Sequence, residues 1–152
     1  MIKCRKVCNL KLQKALFMNH RSQHIISRVA IWLLAVVMII FGIQHFRHPD
    51  VFANFVPPYL PGGDKWVYVV GVAFILAALA FITNRFVALA GYLLAALLLI
   101  FIITIHWPNF RDASSVENSQ ATLSNMLKDL AIAAFALYVA SNARHQRMNI
   151  AD

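Results

Sequence analysis

Apolar side chains fall into four long runs along this chain, and charge sits between the runs and at the two ends. The cleanest run, residues 86–105, is 20 residues without a charged side chain. At about 1.5 Å of rise per helical residue, it crosses a hydrocarbon layer of about 30 Å. The pattern predicts membrane-crossing helices at about 28–46, 65–83, 86–106 and 122–143, and so an all-α membrane fold, a four-transmembrane-helix bundle. Between helices 1 and 2, Pro57, Pro58 and Pro61 exclude a regular helix. Yet Val51, Phe52, Phe55, Val56, Tyr59 and Leu60 are too apolar for a free loop, so this segment is expected to fold onto the membrane surface or the bundle mouth. Asn84 and Arg85 predict a tight turn that makes helices 2 and 3 antiparallel neighbours. Pro108 is expected to end helix 3, and residues 109–124 read as a polar loop.

Helix 4 is the least regular of the four. Only 14 residues separate Asp129 from Arg144, about 21 Å of helix, which is too short to span. The crossing is therefore expected to begin near Ser124, with Lys128 and Asp129 about one turn inside, where an ionisable group is a functional candidate. The stripe of Lys128 continues through Ile132, Phe135 and Val139 and reads as lipid-facing, with the lysine head snorkelling to the headgroups. The stripe of Asp129 continues through Ala133, Ala136, Ala140 and Ala143. Small residues mark close helix approach in membranes, so Asp129 is expected to point inward.

Three further stripes repeat this pattern. His45 lies with Ala35, Met38 and Gly42; His106 with Ala88, Gly91, Ala95, Leu99 and Ile102; Tyr68 with Gly71, Phe74 and Ala78. If these seams face one another, His45, Tyr68, His106 and Asp129 converge in one layer near the outer surface, with Gln44 and His48 at its rim. A buried aspartate there must be paired or protonated, and a histidine is the expected partner. Two readings of the layer stand. One is a structural belt of interhelical hydrogen bonds, worth about 1 kcal/mol each. The other is a ligand site, where histidine and tyrosine hydrogen-bond to, or exchange protons with, a quinone-like carbonyl. Two histidines and an aspartate are also metal-ligand types, but no spacing motif accompanies them and no metal site is assigned.

Composition narrows the class. At 152 residues and 61% hydrophobic, the chain accommodates one small membrane domain, residues 28–143, between a basic tail, 1–27, and a short tail, 144–152. The net charge is +8 and uneven: seven of fourteen Lys and Arg lie in the first 28 residues. Beside a membrane helix such a cluster points to anionic lipid rather than nucleic acid. Adding Arg85, Arg144 and Arg147 gives ten basic residues on one side, against Arg47, Lys65, Arg111 and Lys128 on the other. Both termini are therefore expected in the cytoplasm, in a multi-pass protein of the plasma (inner) membrane. The first run is too long for a cleaved signal and lacks a small-x-small site after it. Met1 and Met18 both stand as candidate starts. Cys4 and Cys8 read as reduced thiols rather than half of a zinc site. Trp66 and Trp107, at helix ends, read as interface anchors.

Gly42-Ile-Gln-His-Phe46, His48-Pro49, the Val56-Pro57-Pro58-Tyr59-Leu60-Pro61 loop, Tyr68-Val-Val-Gly71 and His106-Trp-Pro-Asn109 together resemble the DoxX-like family of small four-helix membrane proteins. The resemblance covers about residues 28–142. It implies a four-helix bundle with both termini inside, and links to redox systems, including a quinone-linked thiosulfate oxidoreductase subunit. Phe74 stands where many relatives carry a glutamate, so that polar role is absent here or has moved to Asp129. The resulting expectation is a membrane component of a redox or quinone-linked system. A quinone is the implied ligand; the lipid bilayer, a redox partner protein and a second copy of the chain are the implied partners. The alternative is a non-enzymatic scaffold that recruits a partner protein. A carrier is a third class, which four short helices suit poorly. No nucleotide loop and no serine or cysteine nucleophile constellation assigns an enzyme activity.

Overall fold

A computed structural model describes the backbone of residues 2–56 and 62–148, and side chains over 22–56, 62 and 65–143. The described chain is helical: α1 (Ile2–Arg47), α2 (Pro49–Ala53), α3 (Gly63–Thr83), α4 (Val87–Phe101), a π-helical turn (Ile102–His106), α5 (Trp107–Arg111) and α6 (Val116–Met148). Four stretches are long and apolar enough to cross a membrane: Ser22–Arg47, Lys65–Thr83, Val87–Arg111 and Val116–Ala143. This is the architecture of a multi-pass membrane protein.

Hydropathy marks where a helix is apolar, not where it ends, and the element bounds differ from the expected ones accordingly. No proline or glycine interrupts residues 1–41, and the helix expected over 28–46 is the last part of one helix starting at Ile2. Pro49 does not prevent α2, because the first turn of a helix needs no N–H from it. The run Pro57–Pro58–Tyr59–Leu60–Pro61 lies outside the described residues.

Pro108 does not end the third crossing. The π turn before it closes a wider ring, with the Trp107 N–H donating to the Ile102 carbonyl, and the helix continues to Arg111. A π turn absorbs the ring clash and missing donor that a proline imposes on an α-helix. The polar loop expected over 109–124 shrinks, since α6 already starts at Val116. The turn between α3 and α4 is tight: Asn84 takes a left-handed conformation and its N–H caps the Ala80 and Phe81 carbonyls. Phe86, at φ 56°, also bends left-handed, so the next helix starts at Val87.

The bundle packs as two close pairs, α1 with α3 and α4 with α6, joined mainly through α3 and α4. Each pair meets at glycine. A Cβ on Gly42 would come within 3.0 Å of the Gly71 carbonyl oxygen, and one on Gly91 within 2.8 Å of the Ala136 oxygen and 2.9 Å of the Ala140 Cβ. Lipid offers apolar side chains as good a solvent as a protein core, so close packing, not water exclusion, holds the pairs together. The surface follows that logic: Trp32, Leu33, Leu76, Leu93, Ile103 and Tyr138 are all exposed.

Three expected positions are corrected. Val139 is 4% exposed, and Ile132 and Phe135 pack against the core, so the Lys128 stripe is not lipid-facing. The alanine stripe of α6 meets α4, and the larger flank beside it fills the gap toward the other pair. Leu94, off the expected seam, is 3% exposed, whereas Leu99, expected on the seam, faces outward. The buried face of α4 runs through Gly91, Leu94, Ala95 and Leu98, and Leu99 falls off its edge.

Candidate functional site

At the end of the bundle beside α2, the two pairs part around a cavity of ≈ 520 Å³. Its walls are mostly apolar and come from both pairs, with Met38, Phe41, Phe74, Leu98, Phe101 and Ile132 among them. The polar side chains on its lining are His45, Thr104, His106, Asn125, Lys128 and Asp129. Cavities of a few hundred cubic ångströms with apolar walls and few polar groups are the usual form of a small-molecule site.

His45 is set by its own helix and by α2. Its Nδ1 lies 2.8 Å from the Phe41 carbonyl, one turn back, and so donates its hydrogen there. The ring stacks on Phe52 of α2, centroids 4.0 Å apart, and meets the Phe74 ring edge-on at 5.4 Å. Gly71 makes room for it: a Cβ there would lie 3.0 Å from the His45 Cβ. The result is a histidine only 8% exposed.

His106 and Asp129 form the other polar element. The His106 Nε2 lies 3.0 Å from Asp129 Oδ2, joining the π turn to α6. Asp129 is 7% exposed, a depth at which a carboxylate needs such a partner. The π turn that accommodates Pro108 also carries Thr104 and His106 on to the cavity wall, and π turns recur at functional sites. Sequence periodicity alone misses this, because it assumes α geometry up to the proline.

The Lys128 ammonium donates to Asn125 Oδ1 at 3.2 Å and rests 4.7 Å from the centre of the Phe41 ring. That contact ties α6 to α1 across the cavity mouth. Thr104 and Asn125 were not among the residues expected at a site, and Lys128 was expected to face lipid rather than the cavity. Only the π turn, visible in structure, and the one-turn spacing of Asn125 to Asp129 mark them.

Of the six residues expected in the layer, the structure brings His45, His106 and Asp129 around one cavity. Tyr68 is 43% exposed, packs its ring on Phe46, and is not on the lining. The α1–α3 seam runs out one turn below it, because α1 ends at Arg47 opposite Gly71. Gln44 and His48 are exposed and also lie off the lining. From the proline loop, Phe52, Phe55 and Val56 line the cavity, while Val51 is exposed and off the lining. Tyr59 and Leu60 lie outside the described residues. Among the described residues, no group of three or more His, Cys, Asp or Glu is placed to hold a metal.

No curated protein and no solved structure matches the chain. The model of a family described as a domain of unknown function, DUF8561, matches residues 34–142, a stretch that contains every cavity side chain named above, and the chain belongs to that family.

Proposed function

We propose that this protein binds a lipid-soluble, quinone-type small molecule between its two helix pairs, as the membrane component of a redox or quinone-linked system. One observation carries the reading: the His106–Asp129 pair sits in the wall of a mostly apolar cavity of ≈ 520 Å³ that His45 also lines. A purely structural belt would join helices and leave no room between them. The redox part rests on the DoxX-like motifs at residues 42–46, 56–61 and 68–71. The protein is placed in the plasma (inner) membrane with both termini cytoplasmic, which the ten-to-four asymmetry of basic residues supports.

The test is what leaves the membrane with the protein. Wild-type protein purified in mild detergent should yield one lipid-soluble aromatic compound on solvent extraction. His106→Ala or Asp129→Ala protein that still elutes as an intact species should lose it. Co-purification of another polypeptide and no small molecule would favour a scaffold that recruits a partner through its loops or basic segment. Reporter fusions at Gly62 and Ser115 should appear outside and fusions after Arg147 inside; an external C-terminus would overturn the orientation.

A further inference from the structure

The hydrogen-bond inventory of the cavity goes further and selects the chemical state of its ligand, given the small-molecule reading above. The His45 Nδ1–H is committed to the Phe41 carbonyl, so the neutral ring presents Nε2 as a lone pair. Asp129 engages His106 through Oδ2, which leaves Oδ1 as an acceptor. His106, donating Nε2–H to that carboxylate, in its neutral form offers only a lone pair at Nδ1. Thr104 donates its hydroxyl hydrogen to the Ile100 carbonyl at 2.8 Å, so its oxygen also accepts. Among the described residues, no enclosed side-chain nitrogen or oxygen lacks a hydrogen-bond partner. His45 Nε2 and Asp129 Oδ1 have none, so both open on to free space, and the cavity is the space their side chains line.

The donors sit elsewhere. Lys128 is exposed and bonded to half-buried Asn125, and the Trp66 indole, the other N–H donor on the lining, belongs to a side chain 46% exposed. His45 and Asp129 are the most buried polar side chains on the lining, and what they offer are acceptors. A ketone or quinone oxygen reaching that depth would meet lone pairs with its own lone pairs. A hydroxyl would donate to either. A lipophilic ammonium would also be accepted by lone pairs, but the Lys128 charge already occupies the Phe41 face on the same wall and repels it.

We infer that the cavity selects a hydroxyl-headed, lipid-soluble molecule: the phenol or hydroquinone state, over the ketone, the quinone or the methyl ether. A hydrogen bond to a buried acceptor discriminates strongly against an analogue that cannot make it, because the acceptor is then left unpaired.

The experiment uses three probes with no redox step: para-nonylphenol, para-nonylanisole and nonyltrimethylammonium. Each is titrated into the purified full-length protein in nanodiscs, with Trp32→Phe and Trp107→Phe in the background so that emission reports Trp66, the tryptophan that lines the cavity. The phenol should bind about tenfold more tightly than the anisole, the factor for one hydrogen bond to a buried acceptor. His45→Phe should narrow that preference to a few-fold, since Asp129 Oδ1 remains as an acceptor, while keeping anisole affinity within about twofold. If His45→Phe does not fold, Asp129→Asn serves instead, since it introduces an N–H donor and should narrow the preference. Equal binding of phenol and anisole overturns the hydroxyl selection and leaves the small-molecule reading intact. Tighter binding of the ammonium, or a phenol preference unchanged in the variants, overturns it too. Binding of none of the three overturns the small-molecule reading itself.

Discussion

The half of the bundle beside the Asn84 turn and the half beside α2 are made by the same four crossing helices, and they pack in opposite ways. In the turn half, the buried side chains among the described residues are apolar, Ala35, Ala78, Phe81, Val87, Ala136 and Ala140 among them, and all of these but Ala140 belong to one core cluster. Phe81 is one of the largest fully buried side chains and belongs to that cluster. In the α2 half, the aromatic rings of Phe41, Phe52 and Phe74 stand around a space instead of filling it, and His45, His106 and Asp129 face it. A membrane bundle held by packing tolerates a void poorly. That the α2 half holds this cavity while the turn half buries small and apolar side chains against one another separates the part that holds the fold from the part available to a ligand.

The largest expected effect tests that contrast directly. Leu94→Ala, in the turn half, should destabilise the protein by about 2 kcal/mol, the low end of the range for soluble cores, because lipid removes the water-transfer contribution. Leu97→Ala, three residues on and already beside the cavity, should cost well under half of that. Thermal unfolding in detergent measures both, and equal losses would break the comparison. Next comes Gly91→Ala, where the added methyl meets the rigid Ala136 backbone; overpacking of this kind costs about 1–3 kcal/mol. Gly42→Ala meets mainly the end of the Ile75 side chain, which can move, and should cost less. The same unfolding assay ranks the two.

A smaller effect is expected from the polar pair. Asp129→Ala and His106→Ala, combined in a double-mutant cycle, should give a coupling of about 1 kcal/mol, in the range measured for interhelical hydrogen bonds in membranes. Both should lose ligand retention more completely than stability, which separates a site from a belt. The smallest effect is Tyr68→Phe. Its hydroxyl lies off the cavity, so stability and probe affinity should stay at wild-type values. A tenfold loss of probe affinity would return Tyr68 to the site.

Inward placement of His45, His106 and Asp129 was legible because small residues recur at helical spacing below each of them. Tyr68 shows the limit of that signal. It stands on an equally good stripe, yet the facing helix ends too soon to cover it. The Lys128 stripe fails for a related reason. Periodicity gives the angle between two faces of a helix but not which neighbour lies opposite, so a flank of Ile132, Phe135 and Val139 looks like a lipid face until the second pair is in place.

What the sequence by itself determined is the membrane-crossing architecture and the close seams. Both follow from local quantities: the length of an apolar run against the thickness of a bilayer, and the size of side chains one turn apart. The π turn before Pro108, the parting of the two pairs and the cavity between them were decided only by the tertiary structure. These depend on how four helix surfaces, far apart in the chain, fill or fail to fill a shared volume, and no window of residues along the chain contains that volume.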